Sequence, residues 1–240
     1  MARRKLQEVD ASSIADIAFI LLAFIIIATT LEKESGLPAI LPRKTDSPAT
    51  PPINARNLLE IKVNKDDDIL IEGQWGSLEE IPDFVRKFMT NPNKSPDLPD
   101  IDYVDEVTCK TNLGLLKAQY DAADYEGKGK IQKKINKWTA KLEAVKLVGP
   151  YSTVNEFATI AIQYDKSTSY GTYLGVRDKI MEGLNDLRDE KSLNEFNISY
   201  AQLQAKRIEI KTDEDKEMIK AIRQVYPQRI IKLPAKNVAR

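Results

Sequence analysis

The chain has 240 residues, and its 36 Lys plus Arg balance 36 Asp plus Glu, so no global charge points to nucleic acid or to an acidic tail. Histidine is absent and Cys109 is the only cysteine, which excludes His-based acid/base catalysis, Cys-His nucleophilic pairs, the usual zinc-ligand clusters and a disulfide framework. Mean hydropathy is negative although one run is strongly apolar, so most of the chain is expected in water and a short part outside it.

Residues 1–13, with Arg3, Arg4 and Lys5, read as a short polar tail. The stretch ASSIADIAFILLAFIIIATTL follows, and from Ile14 to Leu31 it carries a single charge, Asp16. At about 1.5 Å per residue those residues make a helix of roughly 27 Å, enough to span a bilayer, so residues 14–31 are expected to be a transmembrane helix. A cleaved secretory signal peptide is the alternative, with the basic start followed by an apolar core from Ile17. Against it, Thr29, Thr30, Leu31 and Glu32 follow Ala28 without an A-x-A-like site, and an acid guards the entrance of the core. Basic residues do not orient the helix, since Arg3, Arg4 and Lys5 face Lys33, Arg43 and Lys44. The short tail and the mass of chain after the helix favour an uncleaved anchor, amino terminus cytoplasmic and carboxyl-terminal domain outside.

On a wheel at 100° per residue, Ser12, Asp16, Ala23 and Thr30 fall within about 40° of one line, with Phe19, Ile20 and Ile27 beside it. Small and polar residues in one stripe suit helix-to-helix packing in a membrane. A charge at the centre of lipid costs about 2.5–3.5 kcal/mol on insertion scales, so Asp16 is expected to face protein and to take up and release a proton. The competing reading places Asp16 near the interface, reaching into the headgroups.

Residues 32–56 are expected to be an extended linker, proline-rich over TDSPATPPI at 45–53. Leu59, Ile61 and Val63 alternate with Glu60 and Lys62, and Ile69 to Ile71 follow after NKDDD, which predicts two strands around a solvated turn. Asp66, Asp67 and Asp68 lack the Gly and Glu spacing of a calcium loop. Ser77 and Glu80 form a capping-box pattern opening a helix with Phe84, Val85 and Phe88 inside, a start that Pro82 delays by a turn. NPNKSPDLPD then reads as a surface loop.

Lys128, Lys130, Lys133, Lys134, Lys137 and Lys141 suggest a site for anionic lipid or polymer. Yet Ile131, Ile135, Trp138, Leu142 and Val145 are spaced four, three, four and three, which predicts an amphipathic helix with a lysine-rich solvent face. Residues 157–164 predict a buried strand, and Tyr173, Ile180, Leu184 and Leu187 mark one face of the next helix. Thr212 with Asp215 caps a helix through Met218, Ile222 and Val225 that Pro227 ends, and Ile230, Ile231 and Leu233 make a last strand. Residues 197–211 carry no assignable pattern. The order of elements predicts an α+β domain over 57–240, with helices packed on a mixed sheet. No residues in it combine into a catalytic or metal-binding motif: Gly73 and Gly76 flank Trp75 without making a phosphate loop.

The segment ADIAFILLAFIIIATT followed by SGLPAILP resembles the ExbD/TolR family of bacterial inner-membrane proteins. LLEIKVNKDDDILIEGQWGSLEEIPDFV is similar to that family's first extracytoplasmic strand pair and helix, and EFATIAIQYDKSTSYGTYLGVRDKIMEGLNDLR to its later strand and helix. The resemblance implies that Asp16 is the proton-translocating residue, that Thr29 and Thr30 form the polar exit of the helix, and that Leu37, Pro38, Leu41 and Pro42 belong to a segment of pairing and partner control. It further implies an inner-membrane subunit in contact with lipid, without cofactor and with protons as coupling ion. Two copies would pair inside a ring of an ExbB/TolQ-like multi-span protein, and proton flow would energise a TonB-like or TolA-like partner. The stretch at about 91–150 departs from compact members as an insertion. An ExbD-like role in outer-membrane uptake, a TolR-like role in envelope maintenance, and a non-transducing tethered or secreted binding module remain in competition.

Overall fold

The computed structural model describes residues 11–30, 54–206 and 212–234, with side chains over 15–25 in the first stretch and at all but residue 126 in the others. The chain divides into two units, Met1–Ala49 and Thr50–Arg240. Among the described residues of the first unit, a helix, α1, runs Ala11–Thr30. Among the described residues no helix is long and apolar enough to cross a membrane.

The second unit is built on a five-stranded mixed sheet of order β3-β2-β1-β6-β7. Strand β1 (Leu58–Val63) turns Leu59, Ile61 and Val63 inward, as their alternation requires, and pairs antiparallel with β2 (Ile69–Ile71) in the register Ile61 to Ile71. Between them Asn64 Oδ1 accepts from the amides of Asp66 and Asp68 at 2.9 and 2.8 Å, so the acidic run is a turn wound on an asparagine. Glu72 and Gly73, both at positive φ, form the two-residue link to β3 (Gln74–Gly76), the geometry a right-twisted hairpin favours. Strands β6 (Thr159–Tyr164) and β7 (Ile230–Lys232) add on the other side, both parallel.

The Ser77–Glu80 capping box closes as expected, opening a 3₁₀ turn before α2 (Ile81–Thr90) with Pro82 in the first helical turn. Asn91 ends α2 in the left-handed region and staples the proline-rich loop: its Nδ2 donates to the carbonyls of Ser95 and Pro99, and its Oδ1 accepts from the Ser95 amide. Strand β4 (Ile101–Val104) then leads into a helical hairpin of α3 (Glu106–Ala122) and α4 (Tyr125–Val148), and β5 (Tyr151–Val154) returns antiparallel to β4. Helices α5 (Tyr170–Phe196), α6 (Tyr200–Ala205) and α7 (Asp213–Val225) complete the unit.

Two hydrophobic cores result. The first lies between the five-stranded sheet and helices α2 and α5, with Ile61, Ile71, Val85, Ile180 and Leu184 fully enclosed. The second gathers Val104, Cys109, Val145, Tyr151, Tyr200, Leu203 and Ile222 from the small sheet, the hairpin, α6 and α7. The apolar stripe of α4 packs here: Val145 is buried, Leu142 and Trp138 partly so.

Three sequence expectations shift. The strand expected from residue 157 begins at Thr159, because Asn155 Oδ1 accepts from the amides of Phe157 and Ala158 and turns the Phe157 ring into solvent. The last strand ends at Lys232, although Leu233 still donates its amide to the Ile162 carbonyl. Part of 197–211 is helical: Ser199 and Gln202 form a capping box that opens α6, while residues 207–211 lie outside the described ones.

Helices α2 and α5 meet at Gly183, where an added Cβ would lie 2.8 and 2.9 Å from the Pro82 backbone and 3.1 Å from Val85. Rigid backbone atoms cannot give way there. Gly183→Ala should therefore lower unfolding stability by about 1–3 kcal/mol by overpacking, despite its higher helix propensity. Denaturant titration checks this; an unchanged or raised midpoint would contradict so close a crossing.

Candidate functional site

Helix α1 is unusual for the side chains it exposes. Between 15 and 25, Ile17, Phe19, Ile20, Leu21, Leu22, Phe24 and Ile25 all stand open, Phe19 at 70 %. An apolar surface of this kind marks contact with protein or membrane, since water would not stabilise it. Asp16 is the only ionisable side chain among the described ones of this helix, and it too is exposed. Among the described side chains of the stripe read from the wheel, Ala23 is the one partly covered. The side chains of Ser12, Thr29 and Thr30, and the whole of Leu37, Pro38, Leu41 and Pro42, lie outside the described residues.

In the second unit several ionisable groups that sit close together hold the fold. Arg86 makes a two-pronged pair with Glu190, at 2.7 and 3.0 Å, joining α2 to α5 and drawing the Glu190 carboxyl below its ordinary pKa. Arg188 is only 1 % exposed. Its Nε and Nη2 donate to the Tyr226 carbonyl at 3.1 and 2.8 Å, its Nη1 donates to Asn185 Oδ1 at 3.2 Å, and its guanidinium lies 5.4 Å from the Tyr200 ring centre. Burial lowers its pKa, yet a guanidinium so far above neutrality stays charged. Arg223 donates to the Tyr200 hydroxyl at 2.7 Å, so two guanidinium groups hold one ring.

Sequence reading passed over Arg188, although a signal was present: it follows Leu184 by four residues and so shares the buried stripe of α5. Cys109 and Tyr151 are buried in the second core, and burial raises both above their ordinary pKa. A thiol in that setting stays protonated and inert. The carboxylate exposed on the apolar helix is therefore the residue whose placement the fold itself does not explain.

A family model described as Biopolymer transport protein ExbD/TolR matches residues 2–188. The chain belongs to the ExbD/TolR family. The matched range takes in Asp16, the five-stranded sheet as far as β6, and α5 up to Arg188, with α6, α7 and β7 beyond it. No curated protein and no solved structure matches the chain.

The cap of α7 generates a pH prediction. Asp215, its side chain 7 % exposed, accepts from Lys206 Nζ at 2.6 Å and from the Thr212 amide at 3.0 Å. The Lys206 ammonium and the Thr212 amide hold its carboxyl below the ordinary 3.8. A carboxyl depressed by folding stabilises above its unfolded pKa and loses that contribution as pH falls through its folded one. Thermal melts of Asp215→Asn should lie below wild type near neutrality and converge with it as pH falls below 3.8. A gap independent of pH would contradict the ionised cap.

Proposed function

We propose that this chain is the ExbD-like subunit of an inner-membrane stator that couples proton flow to transport across the envelope. In this reading α1 spans the inner membrane with residues 1–13 cytoplasmic, and the domain of residues 57–240 is periplasmic. Family membership supports the class of machine; a carboxylate alone on an exposed apolar helix is the observation that carries the mechanism. Lipid or a neighbouring helix covers the apolar rings of Phe19, Ile20 and Phe24, while Ala23 permits close approach on the side that Asp16 shares. Protonation of Asp16 removes the charge that opposes burial, and deprotonation restores it, so each proton taken up and released moves the helix between two environments. The membrane potential supplies about 2.3 kcal/mol per elementary charge per 100 mV, enough to bias such a step.

Two copies of the chain, seated in an ExbB/TolQ-like multi-span partner, would present two such carboxylates and transmit the step through residues 32–56 to the periplasmic domains. A TonB-like partner would receive the work. A TolR-like role with a TolA-like partner uses the same helix and differs in the partner alone, so co-purification with identification of that partner separates the two.

Replacing Asp16 by Asn preserves size and hydrogen bonding but abolishes the titration. The Asn variant should assemble and co-purify with the multi-span partner while energised uptake falls to the level of a deletion strain, and Asp16→Glu should retain part of the activity. Full uptake in cells carrying Asp16→Asn would remove Asp16 from the proton path.

A further inference from the structure

The helical hairpin leaves a cleft of about 690 Å³ above the small sheet, within the range of about 300–1,000 Å³ common for ligand sites. Its α4 wall carries Lys134, Lys137, Trp138 and Lys141, its α3 wall Thr108, Asn112, Leu115, Leu116 and Gln119, and neither wall holds a carboxylate. Lys137 pairs with Glu156 at the mouth. Lys134 and Lys141 make no ion pair among the described residues; the Lys141 ammonium rests 4.4 Å from the Trp138 ring centre, half-buried, where loss of water and the neighbouring Lys137 lower its pKa. Such an ammonium gains from an incoming anion.

Around this basic wall three large apolar side chains face solvent: Tyr103 at 62 %, Leu115 at 60 % and Phe157 at 66 %. The remaining boundary is β4, which pairs with β5 on one side and with no described strand on the other. An unpaired strand edge offers backbone donors and acceptors to an extended polypeptide, with alternate side chains dropping towards the cleft. A sugar polymer would use the rings and the lysines but not the strand edge.

We propose that this cleft docks an extended acidic segment of a partner protein, its backbone along β4, its carboxylates on Lys134 and Lys141, and its apolar side chains on Tyr103, Leu115 and Phe157. The hairpin thereby gives the domain a second recognition surface, independent of the membrane helix and of the proton-coupled reading. Asp102 and Glu156 also line the cleft, and Lys137 pairs with Glu156, so Lys134 and Lys141 are the cations offered to the segment.

Trp138 supplies the readout. In full-length protein in detergent micelles, with Trp75→Phe leaving Trp138 as the sole tryptophan, a short blocked peptide of alternating Glu and Leu should shift the emission saturably. Affinity should fall on adding salt and drop about tenfold, ~1.4 kcal/mol, in the Lys134→Gln/Lys141→Gln variant. Should that variant lose helical circular dichroism, Lys134→Glu alone, at an exposed position, must show the same loss of affinity. Absence of saturation, equal binding of a peptide of alternating Lys and Leu, binding of polygalacturonate in place of the peptide, or indifference to the lysine substitutions would each overturn the proposal.

Discussion

One buried charge holds the second unit together. Arg188 sits on α5 where that helix passes from the first core to the second, and its guanidinium reaches the carbonyl that ends α7 while lying near the Tyr200 ring of α6. Removing a guanidinium from water is costly, and here hydrogen bonds to two acceptors and an aromatic ring offset that cost. Because the Tyr226 carbonyl ends α7 and the Tyr200 ring belongs to α6, the second core cannot separate from the first without leaving the charge stranded. Burial of hydrophobic surface stabilises each core; Arg188 makes their association specific.

A topological constraint explains the rest of the arrangement. Strands β1 and β6 lie side by side and parallel although about 95 residues of chain separate them, so after β2 and β3 have joined the sheet the chain must leave it and return. The return is tied at Asn155. Its amide donates to the Asp100 carbonyl and its side-chain Nδ2 to Asn57 Oδ1 at the start of β1, while Arg229, just before β7, donates to its carbonyl at 2.5 Å. Arg56 and Asp100 add an ion pair at the same place. The excursion that carries the hairpin is therefore fastened beside the sheet by this polar knot and by the packing of Leu98, Ile101 and Val154 against the first core.

Much of this was legible in the residues. The alternation of Leu59, Ile61 and Val63 defined β1, and the capping boxes at Ser77 and Thr212 marked two helix starts, because both signals are local and act through backbone groups that the neighbouring side chain itself satisfies. Helix α3 was not legible: its buried residues are Cys109 and Leu116, two turns apart, while Val107 and Leu115 face water, so no apolar stripe announces it. Arg188 was hidden for the opposite reason, a charged residue on an apolar stripe whose carbonyl acceptor, on Tyr226, lies 38 residues away. Asp16 stood out in sequence because nothing in an apolar helix requires it, and the fold likewise gives it no structural duty.

The helix and the domain differ in kind: one carries an exposed carboxylate on an apolar surface, the other two enclosed cores. The most direct measurement is proton flux in sealed vesicles containing the chain co-purified with its multi-span partner, followed by a trapped pH-sensitive dye after a potential is imposed. Proton passage by way of Asp16 requires the interior pH to change with the wild-type complex and to stay constant with the Asp16→Asn complex at equal reconstitution. Equal fluxes from the two complexes, or none from wild type in the presence of its energised partner, would contradict it.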